Sequence, residues 1–191
     1  LPVFSNNIGF QKNYIYNHTM LFSLTHAKLI ALNKSLEISK DLLSISEVYD
    51  SGTRFVIKLD RSYKSYKGEH ILAEDLVYSF NFFANHKKTS KVLVSYIKGF
   101  EECSKKEKFC ELEGVKVKDK YTLEVTLKKP SPRFLEDLGD SAFLIMKKDK
   151  VELEKIGKCE IPYQTGRFNV VECTEKYIKV TNGQLDLYFS K

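Results

Sequence analysis

Between residues 54 and 83 the apolar pattern switches period from two to 3.6, and that switch constrains the fold more than any other feature. In "TRFVIKLDRSYKSYKGEHILAEDLVYSFNFF", Phe55, Ile57 and Leu59 alternate with Arg54, Val56 and Lys58, which predicts a strand with one buried face. Leu76, Val77, Phe80 and Phe83 then fall on one side of a helix that the spacing starts near residue 73. Glu74 and Asp75 lie in its first turn, where carboxylates favour the positive end of the helix dipole. By itself this stretch establishes only that a buried helix begins near residue 73 behind a strand.

The remaining chain supplies the other strands. Asp50, Ser51 and Gly52 provide turn chemistry ahead of residue 54, so Ile45, Glu47 and Tyr49 read as the first arm of a hairpin. Val115 and Val117 alternate toward a tip at Asp119 and Lys120, and Tyr121, Leu123, Val125 and Leu127 alternate back, making a second hairpin. Ser131, Pro132 and Gly139 bracket a short helix carrying Phe134, Leu135 and Leu138. A third pair places Phe168, Val170 and Glu172 before a turn and Tyr177, Ile178 and Val180 after it. No internal repeat or low-complexity linker marks a boundary within the 191 residues.

Composition narrows the function classes. A hydrophobic content of 42% is enough for a sizeable core. The net charge of +6 comes from scattered Lys-rich runs such as "CSKKEKFC" and "MKKDK", which reads as a solvated surface and argues against nucleic acid as a partner. No stretch approaches eighteen apolar residues, and "LPVFSNNIGF" has neither a basic nor an apolar leader region, a pattern that a mature secreted chain shares. Four histidines occur without H-E-x-x-H or helical i, i+4 pairing, and no glycine-rich phosphate loop is present. Catalysis, a metal and a cofactor are therefore not expected.

The four cysteines form no C-x-x-C pair and allow three disulfide connectivities. The charged excursion between Cys103 and Cys110, and the Pro- and Gly-containing segment between Cys159 and Cys173, favour local pairing, 103 with 110 and 159 with 173. Four reduced, mostly buried thiols are the alternative.

The order of the pieces resembles the extracellular solute-binding proteins of family 5, the peptide- and nickel-binding receptors of ABC importers. Gly68, Glu69, Ala73, Glu74, Asp75, Val77, Tyr78 and Ser79 match the family's turn and "V-Y-S" helix. Asp119, Tyr121, Thr122, Leu127, Lys128, Pro130, Pro132, Phe134 and Leu135 match a second block, and Thr165, Gly166, Phe168, Val171 and Glu172 match a third more weakly. Leu72 stands where the family has Thr, removing the side-chain N-cap, so Glu74 and Asp75 are left to compensate. Arg167 replaces the usual Pro, and Gln164 replaces the Gly before Thr165.

The resemblance implies an α/β fold, a mixed β-sheet with flanking helices like lobe I of such a receptor. It implies one lobe over residues 1–191 with the second lobe absent or truncated, because members are more than twice this length. The function implied is non-catalytic capture of an oligopeptide or other small solute, delivered to an ABC importer permease. The chain is then expected at the periplasmic or extracellular face of the cytoplasmic membrane, as a lipoprotein or with other anchoring outside this segment. The different reading is a one-lobed interaction or sensor module of the envelope that binds a protein chain. Ligand contact is expected at Asn6 and Asn7, which would follow a first strand "PVFS", and at Tyr14, Tyr16 and Asn17, which offer aromatic bodies with polar tips. Gln164, Thr165 and Gly166 are the other candidates, with Gly166 allowing close backbone approach. An ordinary polar loop, a helix packing its tyrosines and a plain turn glycine are the bland alternatives.

Overall fold

The computed structural model describes residues 15–32, 38–85, 92–106, 109–131, 133–139, 143–150, 154–161 and 163–190. Helix α1 (Ile15–Thr25) precedes a small hairpin of β1 (Ile30–Leu32) and β2 (Ile38–Lys40). Then come β3 (Leu43–Tyr49) and β4 (Arg54–Leu59), joined by a 3-10 turn in which Asp50, Ser51 and Gly52 all have positive φ. Helix α2 (Ala73–Asn85) follows, with short helices α3 (Val92–Ser95) and α4 (Phe100–Ser104). The second hairpin is β5 (Val115–Asp119) and β6 (Thr122–Thr126), followed by α5 (Phe134–Asp137). The rest is β7 (Glu154–Ile156), β8 (Cys159–Ile161), β9 (Asn169–Cys173), β10 (Tyr177–Thr181) and β11 (Asp186–Ser190).

The first two hairpins merge into one sheet of order β3-β4-β6-β5. Their inner strands pair antiparallel, with Phe55 opposite Val125 and Ile57 opposite Leu123. The period-two pattern of each hairpin therefore lands on a shared face, and Phe55, Ile57, Leu59, Leu123 and Val125 are all buried. Helix α2 covers that face with Leu76, Phe80 and Phe83. Phe143 closes the core over the helix, its ring centroid 4.8 Å from Phe80 and 5.0 Å from Phe83. Phe134 of α5 packs on Phe55 at 5.0 Å. Each such ring removed from water contributes about 1.5 to 3 kcal/mol. The sequence reading also places Val117 inward with Val115. Val115 is buried, whereas Val117 is 48% exposed because β5 is the outer strand of this sheet.

The start of α2 carries more than a dipole interaction. Asp75 is buried, and its carboxylate accepts the Leu72 backbone N–H at 2.9 Å, half of a reciprocal capping box. The same carboxylate accepts the Lys148 N–H at 2.9 Å and pairs with Lys147 Nζ at 3.1 Å. The burial of this charge is thus matched by an opposite charge and two N–H donors.

A second sheet, β11-β10-β9, forms from the last three strands. The β9–β10 register slips between Lys179 and Val180, a bulge that turns both Val170 and Cys173 inward although they are three residues apart. Strict alternation instead places Glu172 with Val170, and Glu172 is exposed. The inner face of this sheet joins Leu21 of α1, Cys159 and Ile161 in a small separate core. Every strand pairing among the described residues is antiparallel.

Two disulfides are present, Cys103–Cys110 and Cys159–Cys173, the local pairing that loop composition favours. The first closes a loop beside α4, and the second ties β8 to β9 inside the small core. Among the described residues, no helix is long and apolar enough to cross a membrane.

Candidate functional site

The two candidate stretches in the sequence converge on α1. Asn6, Asn7 and Tyr14 lie outside the described residues. Tyr16 and Asn17 fall in the first turn of α1, and their side chains also lie outside the described set. Gln164, Thr165 and Gly166 meet the other end of that helix, where Gly166 N donates to Thr25 O at 2.8 Å.

Gln164, Thr165 and Gly166 form an internal clamp. Thr165 is fully buried; its Oγ1 donates to Ile145 O at 2.7 Å and accepts the Ala27 N–H at 3.1 Å. Its carbonyl accepts from Tyr63 Oη at 3.3 Å. Gln164 is equally occupied, accepting the Val170 N–H at 2.6 Å and donating to Glu154 at 3.4 Å. The Gly166 carbonyl accepts the Tyr66 N–H at 2.8 Å. A Cβ on Gly166 would lie 2.4 Å from Leu24 O and 2.5 Å from Thr25 C, so glycine is required for another backbone to approach, and no turn conformation demands it. The clamp joins α1, the Tyr63–Tyr66 turn, the irregular segment at Ile145 and β9.

His26 sits at the centre of this junction. Thr25 Oγ1 spends its only proton on Leu21 O at 2.9 Å, so the 3.1 Å contact to His26 requires Nδ1 to donate. Nε2 is then the bare acceptor, buried and without a partner among the described residues. Burial, aided by Lys28, pushes the imidazole pKa down to about 3 and keeps it neutral.

Outside the clamp lies a rim of polar and aromatic groups that spacing alone does not single out. Tyr163 Oη donates to Glu69 at 2.9 Å, and Lys67 Nζ stands 3.9 Å from the centre of the same ring while pairing with Glu154. Burial and then Glu69 push the Tyr163 phenol up to about 12, so it remains a neutral donor. The Arg167 guanidinium lies 4.7 Å from the Tyr63 ring centre and 3.4 Å from Asp41, with its side chain 61% exposed. The rim thus sets the half-buried Tyr163 beside fixed charges of both signs, while Tyr63, itself buried, lies beneath Arg167. Among the described residues no cluster of three or more His, Cys, Asp or Glu side chains could hold a metal.

Solved structures share this architecture. It is similar to the substrate-binding domain of an oligopeptide ABC transporter from Bacillus anthracis (TM-score 0.72, 22% identity), covering 87% of this chain and 33% of that one. It is similar to Listeria monocytogenes OppA bound to peptide (TM-score 0.71, 25% identity, 87% and 34% covered). It is also similar to the Escherichia coli murein tripeptide binding protein MppA (TM-score 0.71, 21% identity, 87% and 34% covered). The sequence profile of the bacterial extracellular solute-binding proteins, family 5 (Middle), matches residues 37–182, and the chain belongs to that family. It spans about one third of the length of these solved relatives. A search of curated protein sequences finds no match.

Proposed function

We propose that this chain is the first-lobe portion, residues 1–191, of a receptor that binds an oligopeptide outside the cytoplasmic membrane and passes it to an ABC importer permease. The supporting observation is family membership over residues 37–182, together with a fold similar to a receptor solved with peptide bound. Its role is capture without chemistry. A clasping receptor gains affinity by closing two lobes around the ligand and excluding water, so one lobe presents half of the contact surface. Ligand contact falls to the α1 side of the lobe and the outer rim of the 163–167 loop.

Calorimetric titration with a peptide library tests this reading. The chain alone is expected to bind in the millimolar range or weaker, about 4 kcal/mol or less, with micromolar binding when a second lobe completes the site. Micromolar binding by the chain alone overturns the half-site account. The second reading, a one-lobed module that binds a protein chain, draws on the inward commitment of the Gln164 and Thr165 side chains, which bond to Glu154, Val170, Ile145 and Ala27. Tight capture of an envelope protein with no peptide binding at all would select it.

A further inference from the structure

We propose that His26 is an acid-sensitive latch: neutral, it lets the end of α1 stay buried against the 163–168 loop, and a second proton on its ring holds that junction open.

The junction is made by backbone atoms on both sides of His26. Leu24 O accepts the Phe168 N–H at 3.2 Å, Thr25 O accepts the Gly166 N–H at 2.8 Å, and the Ala27 N–H donates to Thr165 Oγ1 at 3.1 Å. The imidazole is thus bracketed by the bonds that must break before it can leave. It is 2% exposed and meets Phe22 edge-on at 5.5 Å. The loop passes so close that a Cβ on Gly166 would lie 2.7 Å from the His26 backbone nitrogen.

A ring so placed is equipped for one proton. Nδ1 carries it toward Thr25 Oγ1 at 3.1 Å, because that hydroxyl gives its own proton to Leu21 O. A second proton, on Nε2, needs an acceptor within about 3 Å, and among the described residues Nε2 is buried with no hydrogen-bond partner. Helix α1 carries no Asp or Glu. The titratable groups on the segments that meet here are Lys28, Asp41, Tyr63, Tyr163 and Arg167. Of these only Lys28 acts on the ring, and its positive charge opposes another. Asp41 is engaged with the Lys28 N–H at 3.5 Å and with Arg167 at 3.4 Å.

Once the junction opens, Nε2 meets water and the imidazole returns to its ordinary pKa of about 6.5. Closed, burial and then Lys28 push it down to about 3. The open form therefore binds more protons between those two values. The closed form is fully favoured above pH 6.5 and loses about tenfold for each unit below it, until the buried ring itself titrates. Under the receptor reading, acid loosens the side of the lobe to which ligand contact is assigned. The latch does not depend on that reading, because its readout is the attachment of α1.

Hydrogen exchange of the whole chain at pH 7.5 and pH 5, followed by NMR, tests the proposal. Protection of the Ala27, Gly166 and Phe168 amides, corrected for intrinsic rates, should fall about thirtyfold between the two, and that of α2 should fall less. His26→Asn keeps a donor for Thr25 Oγ1 and takes up no proton in this range. His26→Phe keeps a ring against Phe22 and removes both nitrogens. Either variant should show equal protection of the Gly166 and Phe168 amides at the two pH values, and one folded variant is enough to decide. The wild type supplies a readout that needs no variant: ring nitrogen shifts of His26 at pH 5 should show a proton on Nδ1 alone. Protection independent of pH in the wild type, a dependence that persists in the variants, or a folded imidazolium at pH 5 would overturn the proposal.

Discussion

Around α2 and the four-stranded sheet, six phenylalanines at positions 55, 80, 82, 83, 134 and 143 interlock with aliphatic residues from neighbouring elements. Around the three-stranded sheet, the fully buried set is Leu21, Ile161, Val170, Ile178, Val180 and the paired sulfurs of Cys159 and Cys173. The first region holds its shape by apolar area. The second is too small for that, its β11 residues Leu187 and Phe189 are only partly covered, and a covalent link takes up the difference. One chain thus weights two means differently: the large core also carries a disulfide, Cys103–Cys110, but that bond closes a short loop of sequence separation 7 at its edge, while the small core is tied internally across a separation of 14.

The comparison breaks most readily at the centre of the large core. Phe80→Ala removes a fully buried ring stacked on Phe143, and chemical denaturation should register a loss of about 3 to 5 kcal/mol. A small effect would mean that the large region does not rest on apolar packing. Next in size is the Cys159→Ser, Cys173→Ser double variant, which releases a closure of 14 residues and should lose about 3 kcal/mol. Hydrogen exchange should localise that loss to β9, β10 and β11, leaving α2 protected; uniform loss would show that the two regions unfold as one. The smallest expected effect is Leu72→Thr. With Asp75 already accepting the residue-72 N–H, a hydroxyl there completes the capping box and should add up to about 1 kcal/mol by thermal denaturation. A destabilised variant would show that Leu72 contributes more by packing than a cap provides.

Legibility follows the same division. In the large region the pattern and the structure agree because both faces of each element have one job. Residues 55, 57 and 59 must face α2, and Phe80 must face them. Val117 breaks the pattern because the outer strand has no neighbour to bury it, and alternation within a strand carries no record of sheet position. In the small region the bulge beside Val180 shifts the inward set by one residue, a tertiary adjustment invisible to period counting. The candidate site was the least legible part. Motif resemblance points to Gln164, Thr165 and Gly166, but not to whether they face a ligand or the protein interior. Their partners at residues 25, 27, 63 and 145 are distant in sequence. Tyr163 and Arg167 flank the motif and acquire meaning only through Glu69, Tyr63 and Asp41.

The clamp at Thr165 also sets a timetable. Ala27 and its partner Thr165 are separated by 138 positions, and closing a loop of that length costs roughly 4 kcal/mol of chain entropy before any contact repays it. Hairpins β3–β4 and β5–β6 need no such wait, so the large region can assemble while the ribosome is still extending the chain. Helix α1 precedes these strands in the chain, yet Leu21 finds its neighbours only after Ile161, Val170 and Ile178 exist. Until then Phe22, packed against the large core, is the contact that α1 can make, and the arrival of a single glycine-bearing loop completes its docking.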